Sequence, residues 1–246
     1  MAVRRGLAVC YGVAVYAGFL GVFAVMVDFL ANAGYVRGID DGMVSGRGAA
    51  LAIDLGLLAL FGVSHSVLAR ASVKRRWTQV VPTVVERSTF VLIANLTLAV
   101  LVWRWRALPD VVWHVDHEAA RAVVWVGFGA GIVLIVVSTF LTDHFDLFGL
   151  RQVWLYARRQ PYTPVPFQVR GLYRWVRHPM MLGVLVWIWA TPTMTVGHLV
   201  FSLGMTAYIA VGVALEERSL ARELGAPYLE YRRKTRAILP LPRQAG

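Results

Sequence analysis

Apolar residues fall in five long blocks separated by short, mostly basic polar stretches. The blocks cover about 7–32, 49–69, 88–103, 120–142 and 180–215. Each of the first four is near the roughly 20 residues needed to cross a hydrocarbon core of about 30 Å. The last is long enough to cross twice, but Thr191-Pro192-Thr193 interrupts it. Proline lacks an N–H and clashes with the preceding turn, so it breaks the helix there. A hairpin follows, with a short arm of about 180–190 and a longer arm of about 194–215. The pattern predicts an all-α polytopic membrane protein: four transmembrane helices plus a C-terminal helical hairpin, five to six membrane segments in all. The first block follows Met-Ala-Val-Arg4-Arg5 and runs longer than a signal-peptide core, so it reads as a retained helix. Neither an internal repeat nor a linker divides the chain, which predicts one domain over 1–246.

The loops orient these spans. Arg4 and Arg5 precede the first, and Lys74, Arg75, Arg76 and Arg87 fall between the second and third. The loop after the fourth carries Arg151, Arg158, Arg159, Arg170, Arg174 and Arg177, and the tail is basic again. The intervening loops are sparser and offset by acids: Asp40 and Asp41, then Asp110 and Asp116. The positive-inside rule therefore places both termini in the cytoplasm and the hairpin tip outside. The formal charge of +11 is accounted for by these loops, and it implies contact with anionic lipid rather than nucleic acid. The chain is 58% hydrophobic, which excludes an ordinary soluble domain. Its one cysteine, Cys10, excludes an internal disulfide and a cysteine-built metal site. No protein partner and no metal are evident.

Orientation turns scattered polar residues into a constellation. Ser64-His65-Ser66, Asp143-His144-Phe145-Asp146, His178 and Glu216-Glu217 all fall toward the cytoplasmic end of their segments. Ionisable groups at helix ends near lipid are costly and mark functional sites. A helix-end histidine also serves as a plain interfacial residue, and Glu216-Glu217 alone reads as a solvated helix end. His114, His117 and His198 fall toward the outer side and read as structural.

The run Gly171-Leu-Tyr173-Arg-Trp-Val-Arg177-His178-Pro179 is followed by Glu216-Glu217, Leu220, Gly225, Tyr228 and Tyr231. This block resembles the signature of integral-membrane methyltransferases of the isoprenylcysteine carboxyl methyltransferase type. Met181 stands where those enzymes carry a tyrosine. His65-Ser66-Val-Leu-Ala-Arg70, Trp77-Thr78, Val81-Pro82, Glu86-Arg87-Ser-Thr and Asp143-His144 through Arg151-Gln152-Val-Trp154 look like the bacterial methanethiol S-methyltransferase group, itself similar to NnrU-like membrane proteins. The resemblance covers roughly 55–240. It implies methyl transfer from S-adenosylmethionine to methanethiol, giving dimethyl sulfide, in the bacterial inner membrane with the active site facing the cytoplasm. It places a cofactor-binding block at about 143–240, with Tyr173, His178, Pro179, Met180, Gly183, Glu216, Glu217, Tyr228, Tyr231 and Arg232 around the cofactor.

Methyl transfer from a sulfonium is an in-line displacement, so alignment supplies much of the rate. The thiolate, not the thiol, is the nucleophile. Arg177 and Arg151 are candidates for lowering the thiol pKa, and His144, oriented by Asp143 or Asp146, is the candidate base. His65, Met181 and Trp187 are candidates to shape the small substrate pocket. Two other readings carry different chemistry: a haem-binding or accessory protein of the NnrU type, with His65, His144 and His178 as axial ligands, and a methyltransferase of another lipophilic acceptor such as isoprenylcysteine.

Overall fold

The computed structural model describes residues 2–239; the last position of the expected cofactor block, residue 240, lies outside them. Among the described residues the regular structure is helical, apart from one strand pair. The helices are α1 (Ala2–Ala31), α2 (Arg47–Leu68), α3 (Ala71–Trp77), α4 (Thr83–Arg104), α5 (Glu118–Thr142), α6 (His144–Leu147), α7 (Leu150–Ala157), α8 (Pro179–Trp189), α9 (Val196–Leu224) and α10 (Ala226–Lys234). Strands β1 (Val111–His114) and β2 (Thr193–Thr195) form a two-stranded sheet. Among the described residues five helices are long and apolar enough to cross a membrane: α1, α2, α4, α5 and α9.

One of the two hairpin helices keeps the length of its apolar stretch and the other exceeds it. The 11 residues of α8 rise only about 16 Å at 1.5 Å each, roughly half of a hydrocarbon core. The short hairpin arm therefore does not cross alone. By contrast, α9 runs 29 residues to Leu224, nine beyond the apolar stretch. Polar residues ended the hydropathy signal at Glu216 without ending the helix.

By contact the chain groups into two compact units. One comprises the residues up to Val112, Asp143–Pro166 and Thr195–Phe201; the other comprises Trp113–Thr142, Phe167–Met194 and the residues from Ser202 on. In the first, α1 packs on α4 and α7, and α2 packs on α4. Several of its polar residues within spans find partners locally, as a low-dielectric setting favours, although Asp54 Oδ2 and the Ser88 hydroxyl are buried without one. Asp28 accepts from the N–H groups of Tyr35 (3.2 Å) and Val36 (2.7 Å), holding the loop after α1. Asp54 accepts from the Arg106 N–H at 2.9 Å, and Asn95 donates to the Val15 carbonyl at 3.2 Å. An apolar cluster of Val15, Phe90, Val91 and Phe148 fills the centre. Gly149, at φ 86°, turns the chain from α6 into α7 against Ser88, where a Cβ would lie 2.7 Å from the Ser88 nitrogen.

In the second unit α5 packs on α8 through glycines. A Cβ on Gly131 would lie 2.6 Å from the Trp187 nitrogen, and one on Gly183 would lie 2.8 Å from the Gly131 oxygen. Small residues let two backbones approach closely where lipid offers no hydrophobic drive for association. Phe128 and Trp187 then meet edge to face, with centroids 6.1 Å apart.

Candidate functional site

His178 caps α8 and Pro179 opens it, the position where a missing N–H costs nothing. The preceding backbone N–H groups turn to the tail instead. Arg177 N donates to the Arg236 oxygen at 2.8 Å and His178 N to the Ala237 oxygen at 2.9 Å. This stitch holds the Arg177 and His178 side chains beside α9, where Glu217 meets both. Its Oε1 accepts from Arg177 Nε at 2.7 Å and lies 3.2 Å from His178 Nε2, and its Oε2 lies 3.6 Å from Arg232 Nε. Arg177 also donates to the carbonyls of Arg232 and Thr235. Its side chain is 7% exposed and that of Glu217 12%. The pair is buried, and a buried pair holds only when its remaining donors and acceptors are satisfied. Here they are.

Glu216 is the open member. Its carboxylate lies 3.6 Å from His178 Nδ1 and its side chain is 52% exposed. Three phenols close the cluster. Tyr231 donates to the Tyr173 carbonyl at 2.6 Å, and the Tyr173 hydroxyl lies 2.8 Å from the Thr142 hydroxyl. The Tyr228 and Tyr231 rings pack on each other and on Phe167. Burial pushes all three phenol pKa values up; the Glu217 charge adds to this at Tyr228 and the Glu216 charge at Tyr173. The Tyr228 hydroxyl is buried without a well-formed hydrogen bond, although the Arg177 guanidinium is its neighbour. Met180 and Met181 are half-buried in the first turn of α8, whereas Gly183 and Trp187 lie in the seam with α5.

The other residues singled out in the sequence gather in the first unit. Asp143 sits at φ 125°, a region that non-glycine residues rarely adopt. Its Oδ1 accepts from the Asp146 N–H at 3.0 Å and so caps α6. Such strain persists only where the surroundings impose it, and it concentrates at functional sites. His144, expected to be oriented by Asp143 or Asp146, has Tyr16 of α1 at its Nε2, 2.7 Å from the hydroxyl. Asp146 is held by Arg151 at 3.0 Å and by the Tyr162 hydroxyl at 3.2 Å, and Arg151 also donates to the Thr163 carbonyl and hydroxyl. Burial lowers the His144 pKa from its ordinary 6.5, opposed by the nearby Asp143 charge. His65 stacks on Phe90 and Phe61, with centroids at 4.7 and 5.4 Å.

Chemically the two groups differ. The first gathers opposed charges and phenol donors around one carboxylate, a setting for a zwitterionic ligand. The second sets a neutral imidazole among aromatic rings. Tyr16, Tyr162 and Thr163 went unread in the sequence, since nothing in their local spacing marks them. Arg87 was read as a loop cation and as part of Glu86-Arg87-Ser-Thr, not as a site residue.

Comparison with known proteins finds relatives along nearly the whole chain. The chain is 46% identical to the methanethiol S-methyltransferase of Mycobacterium tuberculosis, over 97% of this chain and 98% of that protein. The protein of the same name from Crocosphaera subtropica is 40% identical, over 96% of this chain and 92% of its own length. Nurim of Xenopus laevis is 29% identical over 70% of this chain and 62% of nurim. No solved structure matches. The family described as NnrU protein matches residues 55–241, which takes in both clusters except Tyr16. The chain belongs to this NnrU protein family.

Proposed function

We propose that this chain methylates methanethiol to dimethyl sulfide, with S-adenosylmethionine as methyl donor, at the cytoplasmic face of a bacterial inner membrane. The observation that carries the reading is 46% identity, across nearly all of both chains, to a protein named methanethiol S-methyltransferase. The donor carries an amine, a carboxylate and a cationic sulfur, and the second unit has groups that suit each. The half-exposed Glu216 attracts the amine or the sulfonium, and Arg232, 49% exposed, attracts the carboxylate. The buried Tyr228 hydroxyl, beside the Arg177 guanidinium, is a further polar group available to a ligand. Arg177 and Glu217 hold the frame. His178, Pro179, Met180, Tyr173 and Tyr231 line it.

Bound there, the donor would supply an electrophilic methyl group: the thiolate lone pair forms the new carbon–sulfur bond as the sulfonium sulfur keeps the pair of the old one. His144 takes the thiol proton. Burial holds its imidazole neutral at neutral pH, and its Tyr16 partner can donate to Nε2 or accept from it, so either protonation state is supported.

Calorimetry with S-adenosylmethionine on detergent-purified protein, then a headspace assay with methanethiol, tests the reading. Saturable binding and dimethyl sulfide are expected. A red, haem-bearing preparation that binds no S-adenosylmethionine overturns it. The orientation is tested on a Cys10→Ala background: Asp116→Cys should react with an impermeant reagent in intact cells and Gln160→Cys should not.

A further inference from the structure

Arg87 sits in the second turn of α4, and the end of its guanidinium remains open. Its Nε donates to the Leu147 carbonyl at 2.7 Å, and its plane lies over the Phe90 ring at 5.0 Å. Among the described residues no hydrogen bond engages Nη1 or Nη2, and no carboxylate comes within 4.0 Å. The acids around it are already taken: Glu86 by Lys74 at 2.8 Å, Asp146 by Arg151 and Tyr162. The same Phe90 ring carries His65 and belongs to the apolar cluster with Phe148, fringed by Leu68 and Leu147.

This is a weakly hydrated cation on an aromatic and aliphatic floor. Arginine is delocalised, always charged and stacks on aromatic faces, so it remains a cation where lysine would lose its proton. A ligand that matches carries one anionic atom on a small apolar body. We propose that Arg87, with Phe90 and His65, forms the subsite that receives the acceptor as a small alkyl thiolate, its sulfur against the open guanidinium nitrogens and its alkyl group on the Phe90 and His65 rings. The assignment rests on the methanethiol reading and adds the residue that selects the acceptor. A neighbouring cation lowers a thiol's pKa and raises the thiolate fraction. Arg87 itself takes no proton; the proton goes to His144. Arg151 and Arg177, the cations that sequence spacing suggested for this task, spend their nitrogens on Asp146 with Thr163 and on Glu217 with two carbonyls.

The test uses wild type, Arg87→Met and Arg87→Lys, with thiocyanate as a sulfur-ended monoanionic probe and methanethiol as substrate. Calorimetry should find thiocyanate binding to wild type, weakened in Arg87→Lys and absent in Arg87→Met. Thiocyanate should compete with methanethiol and not with S-adenosylmethionine. Arg87→Met should raise the KM for methanethiol at least tenfold, leave S-adenosylmethionine affinity within twofold, and regain kcat/KM as pH rises toward the thiol's own pKa. Equal thiocyanate binding in wild type and Arg87→Met overturns the subsite, as does loss of S-adenosylmethionine binding in both variants, which marks a structural role. Arg87-dependent thiocyanate binding in a wild type that forms no dimethyl sulfide would retain the anion subsite and remove the methanethiol reading.

Discussion

Arg177 and Arg87 are both arginines beside a histidine, an acid and an aromatic wall, and the structure uses them in opposite ways. Arg177 is spent inside the protein: Glu217 and two backbone carbonyls take its nitrogens, and little of it meets solvent. Arg87 gives one nitrogen to a carbonyl and keeps the rest, because Lys74 and Arg151 pair with the acids around it and Tyr162 donates to one of them. The difference teaches that a motif marks where charge is concentrated and not which charge a ligand can reach. The Arg-His-Pro run is the stronger sequence signal, yet its arginine is a frame member.

The comparison breaks most readily at Glu217. Glu217→Gln keeps the size and leaves Arg177 buried without its counter-charge, a change that costs about 3–5 kcal/mol in comparable buried pairs. S-adenosylmethionine binding should vanish from calorimetry and the thermal inactivation midpoint should fall. Glu216→Gln, at a half-exposed carboxylate, should weaken binding without that loss of stability. Unaltered cofactor affinity in Glu217→Gln would show that the closed cluster has no part in binding.

His144→Ala sharpens the other side. A general base contributes about 10²–10⁴-fold, so turnover at neutral pH should fall by that order while S-adenosylmethionine affinity holds. The sign of the pH dependence follows from the shift: a His144 pKa lowered from 6.5 keeps the basic form to lower pH. The acid limb of the wild-type rate should therefore lie below 6.5, and the variant should instead gain rate as pH rises toward the thiol's pKa. Superimposable pH–rate profiles would remove His144 as base.

Gly131→Ala probes packing away from both clusters. The added methyl meets backbone at 2.6 Å, and overpacking typically costs about 1–3 kcal/mol. Thermal inactivation should come earlier, with KM values unchanged in the surviving protein; an unshifted midpoint would mean that α5 and α8 slide apart freely. Tyr16→Phe should have the smallest effect. It removes one hydrogen bond worth about 1 kcal/mol, so turnover should drop roughly fivefold with the acid limb displaced, and an unmoved limb would reduce Tyr16 to packing.

The spans were legible because hydropathy reports lipid contact directly, and Pro192 marked the hairpin turn. Helix ends were less so. The helix α9 continues through Glu216-Glu217 because those residues favour helix while ending the apolar signal, and α4 starts at Thr83, five residues before its apolar block. In the second unit the motif spacing pointed to residues that do meet: Arg177, His178, Glu217, Tyr228 and Tyr231. The Tyr16–His144 contact was not legible, since 128 residues separate the partners and nothing in either neighbourhood announces the other. Nor was the commitment of Arg151 and Arg177, which depends on carbonyls that every sequence carries.

The backbone stitch between Arg177-His178 and Arg236-Ala237 sets the order in which the protein can come into being on the ribosome. All five long helices and α8 precede residue 225, so they can enter the bilayer while the Arg177 and His178 amides still lack their acceptors. Glu217 has then already been synthesised, but the carbonyls of Arg232 and Thr235 that steady Arg177 have not. A nascent chain halted before residue 231 would be fully inserted and catalytically blank. Competence arrives only once residues 226–237 have been made and have folded back on Arg177 and His178.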